Sequence, residues 1–233
     1  MKKMFILLPV LLLLFMGTAL AESKVLTGEI YTTTNGYSLT LLWEQNDMPD
    51  RALLEDIQNL YFQAYPPMRE TYGTISVREV TIILLHESDM PQGIPAYTAG
   101  QEITCSREFL QAARGNLNCI VHELFHVVQN GYPGMAENPL IGVLCEGMAD
   151  VARYDYSVFH DPDWFLPAYT PGQSYMDSYR VTAAFLRWIC DTFDEDFCIR
   201  LNRLLHEGFA PENLFEAVTE YSLEDLWFLY STQ

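Results

Sequence analysis

Lysine is nearly missing from this sequence: Lys2, Lys3 and Lys24 are the only three in 233 residues. Thirteen basic side chains stand against 31 acidic ones, for a formal net charge of −18. Nucleic acid and anionic membrane would both repel such a chain, so neither is an expected partner. Cysteine is sparse and odd in number: Cys105, Cys119, Cys145, Cys190 and Cys198, with no C-x-x-C spacing. That excludes a disulfide scaffold and a zinc knuckle. Spacing leaves open a bridge from Cys190 to Cys198 or from Cys119 to Cys145, while buried free thiols are expected for most of the five. Repeats, low-complexity tracts and linkers are also absent.

The one long apolar run is at the start. MKKMFILLPVLLLLFMGTALA (1–21) places two lysines, an apolar stretch and Ala19-Leu20-Ala21 in order. This is the pattern of a signal peptide with an A-x-A cleavage site near Ala21, and the apolar run is too short for a membrane span. Export to an extracellular or periplasmic space is therefore expected, with no stable membrane association after cleavage. Loss of Lys2 and Lys3 would take the charge from −18 to −20. Residues 22–233 suit one domain with a sizeable core, expected to be a monomer.

Strand signals come first and helix signals later. GEIYTTT and YSLTLLWE flank Asn35-Gly36, a strong hairpin signal. Asp50 is placed to cap a helix through DRALLEDIQNLYFQAY, with Leu54, Ile57, Tyr61 and Tyr65 on one face, and Pro66-Pro67 should stop or kink it. EVTIILL (79–85) reads as a buried strand, and AYTAGQEITCS (96–106) as another, with Gly100 allowing a turn or bulge. From residue 106 the pattern is helical. SREFLQAA is short. Asn116 can cap a helix carrying Leu117, Val121, Leu124 and Val128 that ends near Asn130-Gly131. Further helices are expected over roughly 143–155, over SYRVTAAFLRWICDTF, and over DEDFCIRLNRLLHEG with Gly208 as its stop. Ser222 to Asp225 forms a capping box for the last one. The expected class is α+β: a small mixed N-terminal sheet (about 25–105) packed on a mainly helical half (about 106–233).

Within the helix after Asn116 lies CIVHELFHVVQN (119–130). Positions i and i+4 share a helix face about 6 Å apart, so His122 and His126 can aim two ring nitrogens at one ion. Glu123 points to the side, where it can reach a water but not easily ligate. Histidine is scarce here: His86, His160 and His206 are the only others, and none carries a readable role. The chance of H-E-x-x-H at this composition is on the order of one per cent. The flanks Ile120, Val121, Leu124, Val127 and Val128 are apolar. A buried helix with three ionisable groups in one turn needs a partner for them, and zinc is such a partner. A catalytic zinc also needs a third protein ligand. In CEGMADVARY, Glu146 and Asp150 are again i and i+4. The glycine- and proline-rich NGYPGMAENP lets the chain reverse, so that Glu146 can supply the third ligand. Asp150 can accept the outer N–H of a ligating histidine, His122 in the first place.

These residues resemble the gluzincin group of metallopeptidases and, more closely, the basic secretory protein family of peptidase-like secreted proteins. The similarity rests on HELFHVVQ (122–129), EGMADVARY (146–154), SYRVTAAFLRW (178–188), GIPAYTAGQEITCSREF (93–109), RLNRLLHEGF and the closing LEDLWFLY, and covers roughly residues 79–231. The resemblance implies a gluzincin-like zincin fold, His122, His126 and Glu146 as zinc ligands, and Glu123 as base. It also implies that Tyr179 lies near the site to steady an oxyanion, with Tyr154 a weaker candidate, and that the 96–105 strand pairs with an extended substrate. The acidic charge departs from a basic family.

The expected function is a secreted zinc-dependent peptidase acting on proteins or peptides. Two readings stand beside it: a secreted binding or defence protein that keeps the zinc fold without catalysis, and a zinc hydrolase of a non-protein amide such as a cell-wall peptide.

Overall fold

The computed structural model describes residues 24–233 apart from 74–75, 113–116 and 211–212, together with the backbone of Lys2–Met4. Otherwise the leader expected at 1–21 lies outside the described residues, as does Asn116. The architecture is α+β, with a mixed sheet formed first and eight α-helices among the described residues. The strands are β1 (Lys2–Met4), β2 (Leu26–Thr32), β3 (Ser38–Glu44), β4 (Glu79–Leu85), β5 (Ala96–Ala99) and β6 (Glu102–Ser106). Their spatial order is β1-β2-β3-β4-β6-β5. β2 and β3 form the antiparallel hairpin expected around Asn35-Gly36. The β3–β4 and β4–β6 pairs are parallel, and β5 folds back on β6 through a turn at Gly100, whose φ is +63°. The 96–106 segment is thus two strands rather than one.

Patterning explains the layers. β3 alternates, burying Leu39, Leu41 and Trp43 against the helices, while the central β4 buries Val80 and Ile82 through Leu85. Helix α1 (Arg51–Tyr72) starts where Asp50 accepts from the Ala52 N–H at 3.0 Å, and Leu54, Ile57, Tyr61 and Tyr65 are fully buried. The Tyr61 hydroxyl donates to the Ser38 and Arg78 carbonyls, tying the helix to the sheet.

Pro66 and Pro67, expected to stop or kink this helix, do not stop it; it runs on to Tyr72. The extra turn is held from outside. Met68 is fully buried, Arg69 donates to the Ser76 carbonyl at 2.9 Å, and Tyr72 meets the Phe125 ring edge-on at 4.7 Å. Tertiary burial outweighs the two missing backbone donors.

The remaining helices are α2 (Arg107–Ala112), α3 (Cys119–Gln129), α4 (Pro139–Asp155), α5 (Tyr179–Thr192), α6 (Phe197–His206), α7 (Leu214–Thr219) and α8 (Leu223–Ser231). α4 begins four residues before the expected 143. Asn138 caps it by accepting from the Leu140 N–H, and Pro139 sits at its first position, where no N–H is needed. Ser222 caps α8: its hydroxyl oxygen accepts from the Asp225 N–H at 3.0 Å, and the hydroxyl donates to the Asp225 carboxylate at 2.8 Å in place of the reciprocal arm of the expected capping box. α7 has no counterpart among the helices expected from the sequence. All five cysteines are free thiols, and the Cys190 and Cys198 sulfurs lie 3.6 Å apart. Among the described residues no helix is long and apolar enough to cross a membrane.

The packing of α4 on α5 depends on one glycine. A methyl group on Gly147 would stand 2.5 Å from Thr182 Cγ2 and 3.3 Å from Leu186 Cδ1. Thr182 cannot step aside, because its hydroxyl donates to the Tyr175 and Ser178 carbonyls. Gly142, one and a half turns earlier, has nothing within 4 Å of that point. Gly147→Ala should therefore lower stability by about 1–3 kcal/mol through overpacking. Gly142→Ala should raise it by about 0.5–1 kcal/mol through helix propensity. Thermal unfolding of the two variants checks the contrast, and equal effects would refute it.

Candidate metal centre

Three elements meet at one point. α3 is apolar on nearly every side, with Leu117 just before it and Val121, Leu124 and Val128 within it all buried, and this holds it beneath β5. α4 returns alongside α3 after the left-handed turn at Asn130 and Gly131. α5 then packs on α4 and carries Tyr179 at its first position.

The structure brings His122, His126 and Glu146 together as a group that could hold a metal ion. His122 Nε2 is 3.1 Å from His126 Nε2 and 3.1 Å from Glu146 Oε2, and His126 Nε2 is 3.6 Å from the same oxygen. Tetrahedral zinc with bonds of about 2.0–2.1 Å needs donors roughly 3.4 Å apart. The triangle fits that requirement without rearrangement. Asp150 lies on the outer side of His122, with its Oδ1 2.8 Å from Nδ1, and is buried.

Glu123 sits beside the triangle, near the cleft and nine per cent exposed. Its carboxylate accepts a hydrogen bond from the Thr98 hydroxyl at 2.7 Å, and its backbone carbonyl lies 3.1 Å from the same oxygen. Thr98 belongs to β5, so the strand edge and the helix are joined at the carboxylate. Tyr179 lies over His122, ring centroids 6.5 Å apart and planes 28° from parallel, and is 53 % exposed. Tyr154 is outside the cleft lining and equally exposed.

Two neighbours of the site were not read from the sequence. Gln129, 1 % exposed, places Oε1 2.7 Å from His126 Nδ1 and donates from Nε2 to the Cys145 carbonyl at 2.8 Å. Its position three residues after His126, on the same helix face, was the available signal. Thr98 lies in the 96–105 strand that the resemblance places along the site, but no local pattern singles it out, because only the sheet brings it to α3. The Asn118 side chain does not cap α3. It binds the backbone of Val158 and Phe159 instead, fixing the segment that leads to the far cleft wall. There Arg153 lies 4.2 Å from the Trp164 ring centroid and pairs with Asp161 at 3.3 Å. The cleft has a volume of about 1020 Å³ and runs between this wall and the 93–98 segment.

The electrostatics favour positive charge at the triangle. Burial lowers the His122 pKa, but hydrogen bonds to Asp150 and Glu146 outweigh it and raise the value to about 9. Burial likewise lowers that of His126, while the Cys145 sulfur and the Glu146 carboxylate raise it to about 10. Burial raises the Glu146 pKa, but the two imidazoles bring it down to about 2. Protons take the place a cation would fill. The Tyr179 hydroxyl is pushed up, first by the charge of Glu146.

Residues 41–230, from within β3 into α8, match a family model named BSP and described as peptidase of plants and bacteria. No curated protein matches the chain.

The shifts predict how the metal-free protein responds to pH. A histidine raised from 6.5 to about 9 contributes stability that is full below pH 6.5 and lost as pH rises through 9. Glu146, lowered from 4.5 to about 2, contributes stability above pH 4.5 that is lost as pH falls through 2. Calorimetry on chelator-treated protein should show the melting temperature falling from pH 6.5 to 10. Added zinc should remove most of that fall. A flat profile without metal would contradict the geometry.

Proposed function

We propose, for a chain that belongs to the peptidase family of plants and bacteria, zinc-dependent hydrolysis of peptide bonds in the gluzincin manner. The observation that carries this reading is the triangle of His122 Nε2, His126 Nε2 and Glu146 Oε2, with edges of 3.1, 3.1 and 3.6 Å, beside the Glu123 carboxylate in one cleft. His122, His126 and Glu146 would hold the ion. Bound there, zinc would polarise the substrate carbonyl and acidify a water.

The protein's own side chains do the rest. Glu123, oriented by Thr98, takes a proton from the attacking water and passes it to the leaving amine. Asp150 holds the His122 ring with Nε2 turned toward Glu146. The Tyr179 hydroxyl donates to the oxyanion that forms as the carbonyl carbon becomes tetrahedral. Its raised pKa keeps it a donor. β5 is the outermost strand of the sheet on this side, so its free edge along the cleft suits an extended peptide. Protein or peptide is the substrate class of the family. The reading includes export after cleavage near Ala21, supported by residues 1–21.

Glu123→Gln should retain about one zinc per chain and lose casein hydrolysis by about 10²–10⁴-fold. His126→Ala should lose both. Tyr179→Phe should keep the metal and lower kcat by about 100-fold. Metal analysis and chelator-sensitive casein hydrolysis read all three. Hydrolysis that survives chelation would sink the zinc mechanism. Zinc without hydrolysis in the native chain would instead favour a non-catalytic role or a non-protein amide substrate.

A further inference from the structure

We infer that Gln129 is a positioning residue for the metal centre, selecting the tautomer of His126 and locking two of the three donors to each other. This rests on the reading of His122, His126 and Glu146 as a zinc site.

The argument turns on which end of the Gln129 amide faces which partner. One partner is the Cys145 backbone carbonyl, 2.8 Å away, which can only accept. The amide must present its NH₂ end there; the reverse would set two carbonyl oxygens against each other. Oε1 is then the atom 2.7 Å from His126 Nδ1. A carbonyl oxygen can only accept, so Nδ1 must carry hydrogen, and in the neutral ring the lone pair is left on Nε2. Nε2 is the atom that faces His122 and Glu146. The Cys145 thiol also reaches Oε1, at 3.1 Å, so both lone pairs of that oxygen are engaged. With Gln129 1 % exposed, water does not compete for these bonds.

The second consequence follows from chain position. Cys145 immediately precedes Glu146. A single side chain on α3 therefore orients His126 and fastens the backbone of α4 next to the third donor. His122 is oriented by a carboxylate, Asp150, and His126 by a neutral amide. The orienting groups thus fix both rings while adding one negative charge rather than two.

The test compares native protein with Gln129→Met, which keeps length and apolar volume but removes both polar atoms, and with Gln129→Glu, which restores only the acceptor. Zinc affinity is measured by competition with a chromogenic chelator, and the melting temperature of each metal-free form is recorded alongside. Gln129→Met should bind zinc about 10–100-fold more weakly, the usual effect of losing a partner of a ligating histidine. Gln129→Glu should recover part of that loss. In the zinc-loaded native chain, ¹⁵N-edited NMR should show His126 with a slowly exchanging Nδ1–H and Nε2 bound to metal, a readout that does not require the variants to fold. Equal zinc affinity in native and Gln129→Met, or ligation of His126 through Nδ1, would overturn the assignment while leaving the zinc reading intact. Failure of the native chain to bind zinc would overturn both.

Discussion

Burying carboxylates and imidazoles together in an apolar interior is the constraint that the rest of this structure accommodates. α3 contributes Ile120, Val121, Leu124, Phe125, Val127 and Val128 to the core, and α4 contributes Leu144, Met148, Val151 and Ala152 to the same core. Between them stand Glu123, Glu146 and Asp150 with two histidines. Unpaired charge in such surroundings costs several kcal/mol per group, so each member needs a fixed partner. Every one has such a partner: Asp150 on His122, Gln129 on His126, Thr98 on Glu123, and the two rings on Glu146. The geometry that satisfies the charges is also the geometry that a small divalent ion requires.

Meeting that requirement sets how closely the helices approach. Glu146 is adjacent to Gly147, the one point where α4 has no side chain against Thr182 of α5. Close packing there brings the start of α5, and with it Tyr179, to the face of His122. On the opposite side the sheet provides a rigid wall. β5 is only four residues long, but its pairing with β6 joins it to the parallel pair β4–β6 and through them to the core. The cleft therefore has the ionisable groups of α3 and α4 on one side and the half-buried strand β5 on the other.

The helix ends show where local chemistry was sufficient. Asp50 and Ser222 cap as their types and positions suggest, because a short oxygen-bearing side chain at those positions finds an N–H within its own turn. Pro66-Pro67 and Asn138-Pro139 went the other way. The first pair signals a stop or a kink, yet Met68, Arg69 and Tyr72 are held by tertiary contacts that carry the helix past it. The second lay inside a stretch that read as a turn and proved to be the start of α4. Proline restricts the turn it begins far less than the turn it interrupts.

Spacing within each of two helices determined most of the candidate site. His122, Glu123 and His126 share one turn of α3, and Glu146 and Asp150 one turn of α4, because a fixed rise per residue makes i and i+4 neighbours wherever the helix sits. The α+β class also follows from local periodicity, since strand and helix patterns occupy separate halves of the chain. What only the tertiary structure decided is which of these groups meet, and through what. Thr98 reaches Glu123 across 25 residues, Gln129 reaches the Cys145 carbonyl across 16, and Asn118 holds the Val158–Phe159 backbone about 40 residues away. No periodicity encodes such contacts. They arise when buried polar atoms from different elements are brought together and must find partners in the absence of water.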